Sequence, residues 1–115
     1  MGTTIEDQQL DALFTALSDR TRRDIVARLS TGEATVKELA EPYAMSMQAV
    51  SQHIRVLERS GLISQGRHRQ TRPCRLEPAA LEAALSWIEE SRRMWSNRMD
   101  RLETHLARLQ ERENQ

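Results

Sequence analysis

Gln48, Ser51, Gln52 and Arg55 are short or forked hydrogen-bonding side chains on one side of the stretch M-S-M-Q-A-V-S-Q-H-I-R-V-L-E-R-S-G, residues 45–61. A glutamine amide carries a donor beside an acceptor, and a guanidinium carries a planar fork of donors. Such groups pair with the edges of bases in a major groove. The same face also fits the polar side of an ordinary surface helix, and the face alone does not separate the two. Ser46 opens the stretch. His53 lies within it, where an internally satisfied, partly buried imidazole is the plain reading.

The element that must position these groups is a helix with a start and a stop. Ser46 suits an N-cap, because its hydroxyl can accept from a free backbone N–H of the first turn. Gly61 suits the left-handed position that ends a helix. Val50, Ile54 and Leu57 fall at i, i+4 and i+7, which makes one apolar stripe opposite the polar face. Upstream, Thr35 and Glu38 form the T-x-x-E capping box of a short helix with Val36, Leu39 and Ala40 inward, and Pro42 limits it to about two turns. Tyr43, Ala44 and Met45 make a tight connection. A short helix, a turn and a helix with a polar outer face give a helix-turn-helix over residues 35–61.

Before that unit, Leu10, Leu13, Phe14 and Leu17 fit the helical period, and with Ile5 they predict a first helix over residues 5–18. Ser18 and Asp19 can cap a second helix from about Arg20 to Leu29. It buries Ile25, Val26 and Leu29 and keeps Arg20, Arg22, Arg23 and Arg28 off the core. After Gly61 the period changes to that of strands. Leu62, Ile63 and Ser64 begin one strand, residues 71–76 make a second, and residues 66–70 form the tip between them. Pro73 removes a ladder donor and so predicts an edge or irregular strand. Arg67, His68, Arg69 and Arg72 near this tip read as a wing over residues 62–76 whose cations can meet phosphates or a minor groove. A solvated, charged hairpin is the plainer alternative.

Charge distribution favours the wing. The formal net charge is zero. Residues 46–76 nevertheless hold six arginines against the single acid Glu58, while the segments on either side are net acidic. Local asymmetry of this kind marks a phosphate-facing surface better than the total does.

Pro78 opens a last helix over residues 78–112. Leu81, Leu85, Ile88, Arg92, Trp95, Met99, Leu102, Leu106 and Leu109 alternate at spacings of 4 and 3, and Arg92 alone interrupts them. Such a helix is roughly 50 Å long at 1.5 Å per residue, too long to bury its seam on so small a body. A second copy of the chain is the simplest cover, with Trp95, Met99, Leu102 and Leu106 in the contact. A helix packed only on its own body, with a frayed end, is the alternative. Trp87 and Trp95 do not share a face.

The 115 residues suit one domain with a modest core, and Cys74 is the only cysteine, so an intrachain disulfide is excluded. A bridge between subunits or oxidation of a single thiol stays open. No apolar run approaches a membrane span, and the polar, acidic N-terminus is unlike a secretory signal. No nucleophile–base pair or carboxylate pair suggests an enzyme.

Three stretches carry a family resemblance: F-T-A-L-S-D-R-T-R-R-D-I-V-A-R-L (residues 14–29), T-V-K-E-L-A (35–40) and M-S-M-Q-A-V-S-Q-H-I-R-V-L-E-R-S-G-L-I (45–63). Together they resemble the ArsR family of bacterial winged-helix transcription regulators, with Arg20 where the family often has proline. The resemblance implies a homodimer built from the first and last helices, which adds Leu10, Leu13 and Phe14 to the interface. It also implies binding to double-stranded DNA at a two-fold symmetric operator, and repression when bound. It places His53 on the reading helix near DNA. The family's metal sites do not carry over. Residues 36–41 contain no cysteine, and the last helix offers Asp100, Glu103 and a lone His105, a weak set.

The expectation is therefore a mainly α fold with a small β-hairpin, a single winged-helix domain over residues 1–115 that ends in a long dimerisation helix. The expected function is a homodimeric, metal-independent repressor, cytoplasmic and nucleoid-associated, with no cofactor. The alternatives are a metal- or redox-responsive repressor of the same fold, or a protein-interaction module using the last helix. The operator, the regulated genes and any small-molecule effector are not legible.

Overall fold

The computed structural model describes residues 5–66 and 72–114. Its elements are α1 (Ile5–Leu17), α2 (Arg20–Leu29), β1 (Ala34–Thr35), α3 (Val36–Ala40), α4 (Met47–Ser60), β2 (Ile63–Gln65), β3 (Pro73–Leu76) and α5 (Pro78–Glu113). The architecture is mainly α with a small antiparallel sheet, as the periodicity predicts. The chain divides into two compact units, residues 1–84 and residues 85–115.

In the first unit, side chains close nearly every helix end. Asp19 caps α2 by accepting from the backbone N–H of Arg22 at 3.0 Å. The last carbonyls of a helix have no partner within it, and they attract cations. Arg22 fills that need for α1: its Nε donates to the Ala16 carbonyl at 2.7 Å and its Nη2 to that of Thr15 at 3.1 Å. Arg23 donates to the Leu17 carbonyl at 2.8 Å. The capping box of α3 forms as its sequence requires. Arg28 closes the other end of α3, donating to the carbonyls of Leu39 at 2.8 Å and Glu38 at 3.0 Å. It also lies over the Tyr43 ring, 5.7 Å from its centre. The Tyr43 hydroxyl donates to Asp24, which ties the helix-turn-helix connection to α2.

Ser46 accepts from the backbone N–H of Ala49 at 3.1 Å, and α4 ends with Gly61 at φ +86°. The Leu62 N–H reaches the Leu57 carbonyl at 3.2 Å and the Gly61 N–H that of Glu58 at 3.0 Å. That is a Schellman closure, and it needs the left-handed residue that glycine supplies without a Cβ penalty. It turns the chain sharply into β2.

The sheet order is β1-β3-β2, antiparallel throughout. Pro73 therefore lies in the central strand, opposite Thr35, which corrects the expected edge position. It is tolerated there as the first residue of β3. β1 has only two residues and shows no periodicity in the sequence. Thr35 serves it and caps α3 at once, because an N-cap residue already has an extended backbone.

The core gathers Leu13 and Ala16 of α1, Ile25, Val26 and Leu29 of α2, Leu39 of α3, and Val50, Ile54 and Leu57 of α4. Leu62, Ile63, Cys74, Ala80 and Ala84 complete it. Burying each Leu, Ile or Val is worth about 1.5–3 kcal/mol. The fully buried Val50 and Leu57 and the nearly buried Ile54 thus hold α4 by the side opposite its polar face. Leu13, expected to meet a second copy, is fully buried within the protomer and has no surface to offer. Leu10 is half-buried and Phe14 exposed.

The second unit is helical. Leu85, Ile88, Trp95, Met99, Leu102, Leu106 and Leu109 are all exposed there on the isolated protomer. Arg92, the interruption in this series, pairs with Glu89 one turn earlier at 3.0 Å. Among the described residues no helix is long and apolar enough to cross a membrane.

Candidate nucleic-acid interface

The outer face of α4 presents Gln48, Gln52 and Arg55, all exposed, with Ser51 half-buried beside them. Arg55 donates from Nη1 to Gln52 Oε1 at 3.2 Å. This contact occupies the amide oxygen and leaves the Gln52 NH2 and the remaining Arg55 donors outward. Ser46 is exposed, and its oxygen is engaged as the N-cap while its hydroxyl hydrogen stays available to donate. Exposed Arg59 continues the face one turn on, a position the sequence reading passed over.

His53 stands apart from that group. Its side chain is 23% exposed, and Nδ1 lies 3.2 Å from Arg22 Nη1 and 3.7 Å from Asp19 Oδ2. A link thus runs from the end of α1, through Arg22, to α4. Asp19 is held below the usual aspartate range. The main cause is the backbone N–H of Arg22; burial opposes it, and the positive potential of His53 and Arg22 assists. Sequence reading placed Arg22 only away from the core. The available signal was a cation three residues after an N-cap and just past a helix end, where orphan carbonyls await a donor.

Of the wing residues, Arg72 is exposed just before β3. Arg67, His68 and Arg69 lie outside the described residues. Arg75 on β3 is an additional exposed arginine, and it reaches Ser64 at 3.3 Å and Glu77 at 3.5 Å. The β2–β3 pairing runs from Ile63 opposite Leu76 to Gln65 opposite Cys74, so the hairpin's strands directly follow α4.

Among the described residues no group of three or more His, Cys, Asp and Glu side chains is placed to hold a metal ion. Cys74 is buried at the centre of the sheet, and its thiol is pushed up to about 11, by desolvation first and by the negative charge of Glu58 second. Thiolate is the reactive form, so this cysteine is chemically quiet in the folded protein.

A helix-turn-helix followed by an antiparallel hairpin, with an amide- and guanidinium-bearing second helix, defines a winged helix-turn-helix DNA-binding protein. A family model described as a helix-turn-helix domain matches residues 17–65. The HTH-type transcriptional regulator Rv2034 of Mycobacterium tuberculosis is 37% identical over 86 residues, covering 75% of this chain and 78% of that protein. The transcriptional repressor SdpR of Bacillus subtilis is 30% identical over 79 residues, covering 69% of this chain and 88% of its own. Among solved structures, the ArsR family transcriptional regulator RHA00566 is 38% identical with a TM-score of 0.75, over 84% of this chain and 97% of its own. The chain belongs to the ArsR family of winged helix-turn-helix transcriptional regulators, which are DNA-binding proteins rather than enzymes.

Proposed function

We propose that this regulator is a homodimeric, sequence-specific repressor that binds a two-fold symmetric operator and needs no metal to do so. The observation that carries the reading is the division of α4 into a buried stripe, Val50, Ile54 and Leu57, and an outer face of Gln48, Gln52 and Arg55. A helix fixed in the core by one side presents the other in a constant geometry, which base readout requires. In this reading Ser46, Gln48, Ser51, Gln52 and Arg55 contact bases or hold the register. Arg72, with Arg67, His68 and Arg69, holds the flanking backbone.

The exposed apolar series on α5 supports a homodimer, since so regular a stripe is covered most simply by its own copy. Two α4 helices related by a two-fold axis would meet half-sites about one helical turn, or a multiple of it, apart. The likeness to a transcriptional repressor supports repression. The sparse donor set around Asp100, Glu103 and His105, with one imidazole, supports independence from metal.

Fluorescence anisotropy tests the whole reading. A duplex from upstream of the protein's own gene is titrated with protein, challenged with unlabelled random DNA, and repeated with zinc or a chelator. The expected result is tight binding that resists the competitor, weakens steeply with salt and ignores metal. Loss of binding on adding zinc would instead make the protein a metal-responsive member of the family.

A further inference from the structure

Met47 is the first residue of α4, and its side chain is 49% exposed. Among the described residues, every other exposed large apolar side chain lies on α1 or α5. A lone exposed methionine is ordinary on a protein surface. What sets this one apart is its place, in the opening turn of the helix whose outer face carries Gln48, Gln52 and Arg55. A recognition helix enters a major groove with its N-terminal residues against the base edges.

Two features hold that turn in place. Ser46 caps it, accepting from the Ala49 N–H at 3.1 Å. Met45 just before the cap and Val50 in the next turn occupy the two positions that a hydrophobic staple joins. Both belong to the core: Val50 is fully buried, and Met45 packs against the cluster. The methionines on either side of Ser46 thus divide, Met45 inward and Met47 outward. From a backbone so fixed, an unbranched, flexible thioether can fit its end to a small apolar target.

In the major groove an A·T pair presents hydrogen-bonding groups and one apolar group, the C5 methyl of thymine. Amides, hydroxyls and guanidiniums answer the former. None of Gln48, Ser51, Gln52 and Arg55 is apolar, and Met47 is the exposed apolar side chain beside them. We propose that Met47 packs on the C5 methyl of one thymine in each half-site and so selects thymine over cytosine at that position. The inference rests on reading α4 as the DNA-facing helix. It adds an apolar base contact to the polar ones. It also makes binding sensitive to methylation of the DNA, because 5-methylcytosine presents the same group as thymine.

Deoxyuridine is thymidine without that methyl. A duplex is selected from a random pool by the wild-type protein, each of its thymines is replaced in turn by deoxyuridine, and affinities are measured by anisotropy. One thymine per half-site should stand out, its replacement weakening wild type about fourfold, the transfer worth of one methyl group. Met47→Ala should bind the thymine and deoxyuridine duplexes alike at that position and keep its other preferences. Met47→Leu, still apolar, should retain the difference. With cytosine at that position, 5-methylation should strengthen wild type about fourfold and leave Met47→Ala unmoved. The deoxyuridine scan needs only the wild-type protein, so it decides even if a variant folds poorly.

A scan in which no thymine methyl matters overturns the proposal, as does a methyl preference that survives in Met47→Ala. Gln52→Ala, measured alongside, keeps the readings apart. If it loses base preference while the methyl scan is silent, only the Met47 assignment fails; if neither has an effect, the reading of α4 fails as well.

Discussion

Arg22 and His53, 31 residues apart in the chain, meet at 3.2 Å, and the same guanidinium holds the carbonyls of Thr15 and Ala16. One side chain thus closes α1 and braces α4, so its removal strips several acceptors of their donor at once.

Arg22→Ala is expected to destabilise the fold by about 2 kcal/mol, the range for charged hydrogen bonds in a partly buried setting. Neighbouring Arg20 is exposed, and Arg20→Ala should stay within about 0.5 kcal/mol. Urea unfolding of the two variants checks this: the midpoint should fall for the first alone, with the slope unchanged in both. Equal midpoints would mean that the Arg22 contacts carry no net stability.

Asp19 gives the fold a pH dependence of known sign. Its carboxyl titrates below the ordinary 3.8, because the Arg22 backbone N–H favours the charged form. A group whose folded pKa is depressed stabilises above its unfolded value, and that contribution fades as pH falls through the folded one. Asp19→Ala should cost about 1 kcal/mol at neutral pH through the lost cap. The gap between the two proteins should narrow as the pH falls below 3.8, and chemical denaturation at neutral and acid pH measures it. A gap that widened in acid would contradict the assignment.

Cys74 should resist thiol reagents in the folded protein. With its thiol pushed up to about 11, roughly a thousandth is thiolate at pH 8, and the sulfur is buried besides. Labelling should appear only on denaturation. Prompt stoichiometric labelling of the native protein would reopen the redox-responsive alternative.

Leu102→Glu places a charge in the middle of the exposed α5 series. Sedimentation should then show monomers, with DNA binding weakened more than tenfold, since one protomer engages only one half-site. An unchanged dimer of unchanged affinity would show that the α5 series is not the subunit contact.

Much of the helical framework was legible because its stops and starts are local chemistry. Ser46 and Gly61 bound α4, the Thr35–Glu38 box opens α3, and Pro78 opens α5, each decided within a few residues. What escaped depends on contacts distant in sequence. β1 exists only because Ala34 and Thr35 find Cys74 and Pro73 about forty residues on, and that pairing puts Pro73 in the centre of the sheet. Leu13 shares an apolar stripe with Leu10 and Phe14, and no pattern within α1 tells which of them the rest of the protomer covers. The sequence places the arginines of the D-R-T-R-R segment off the core and goes no further. The partners of Arg22 and Arg23, the carbonyls of α1, become apparent only once the turn at Ser18 and Asp19 brings α2 back against them. On α4 the division between Gln48, Gln52 and Arg55 and the buried stripe followed directly from the 3.6-residue period, whereas the bond from Arg22 to His53 did not.

The most direct test of the central claim, that the outer face of α4 reads bases, is the sequence preference of Gln52→Ala. Wild type and variant are each used to select duplexes from one random pool, and affinities for the selected sites and their single-base changes are compared. The account predicts that the variant folds normally but loses discrimination at one position per half-site, by about 1–3 kcal/mol, while affinity for unrelated DNA hardly changes. An unaltered preference would contradict it and move base readout off this face.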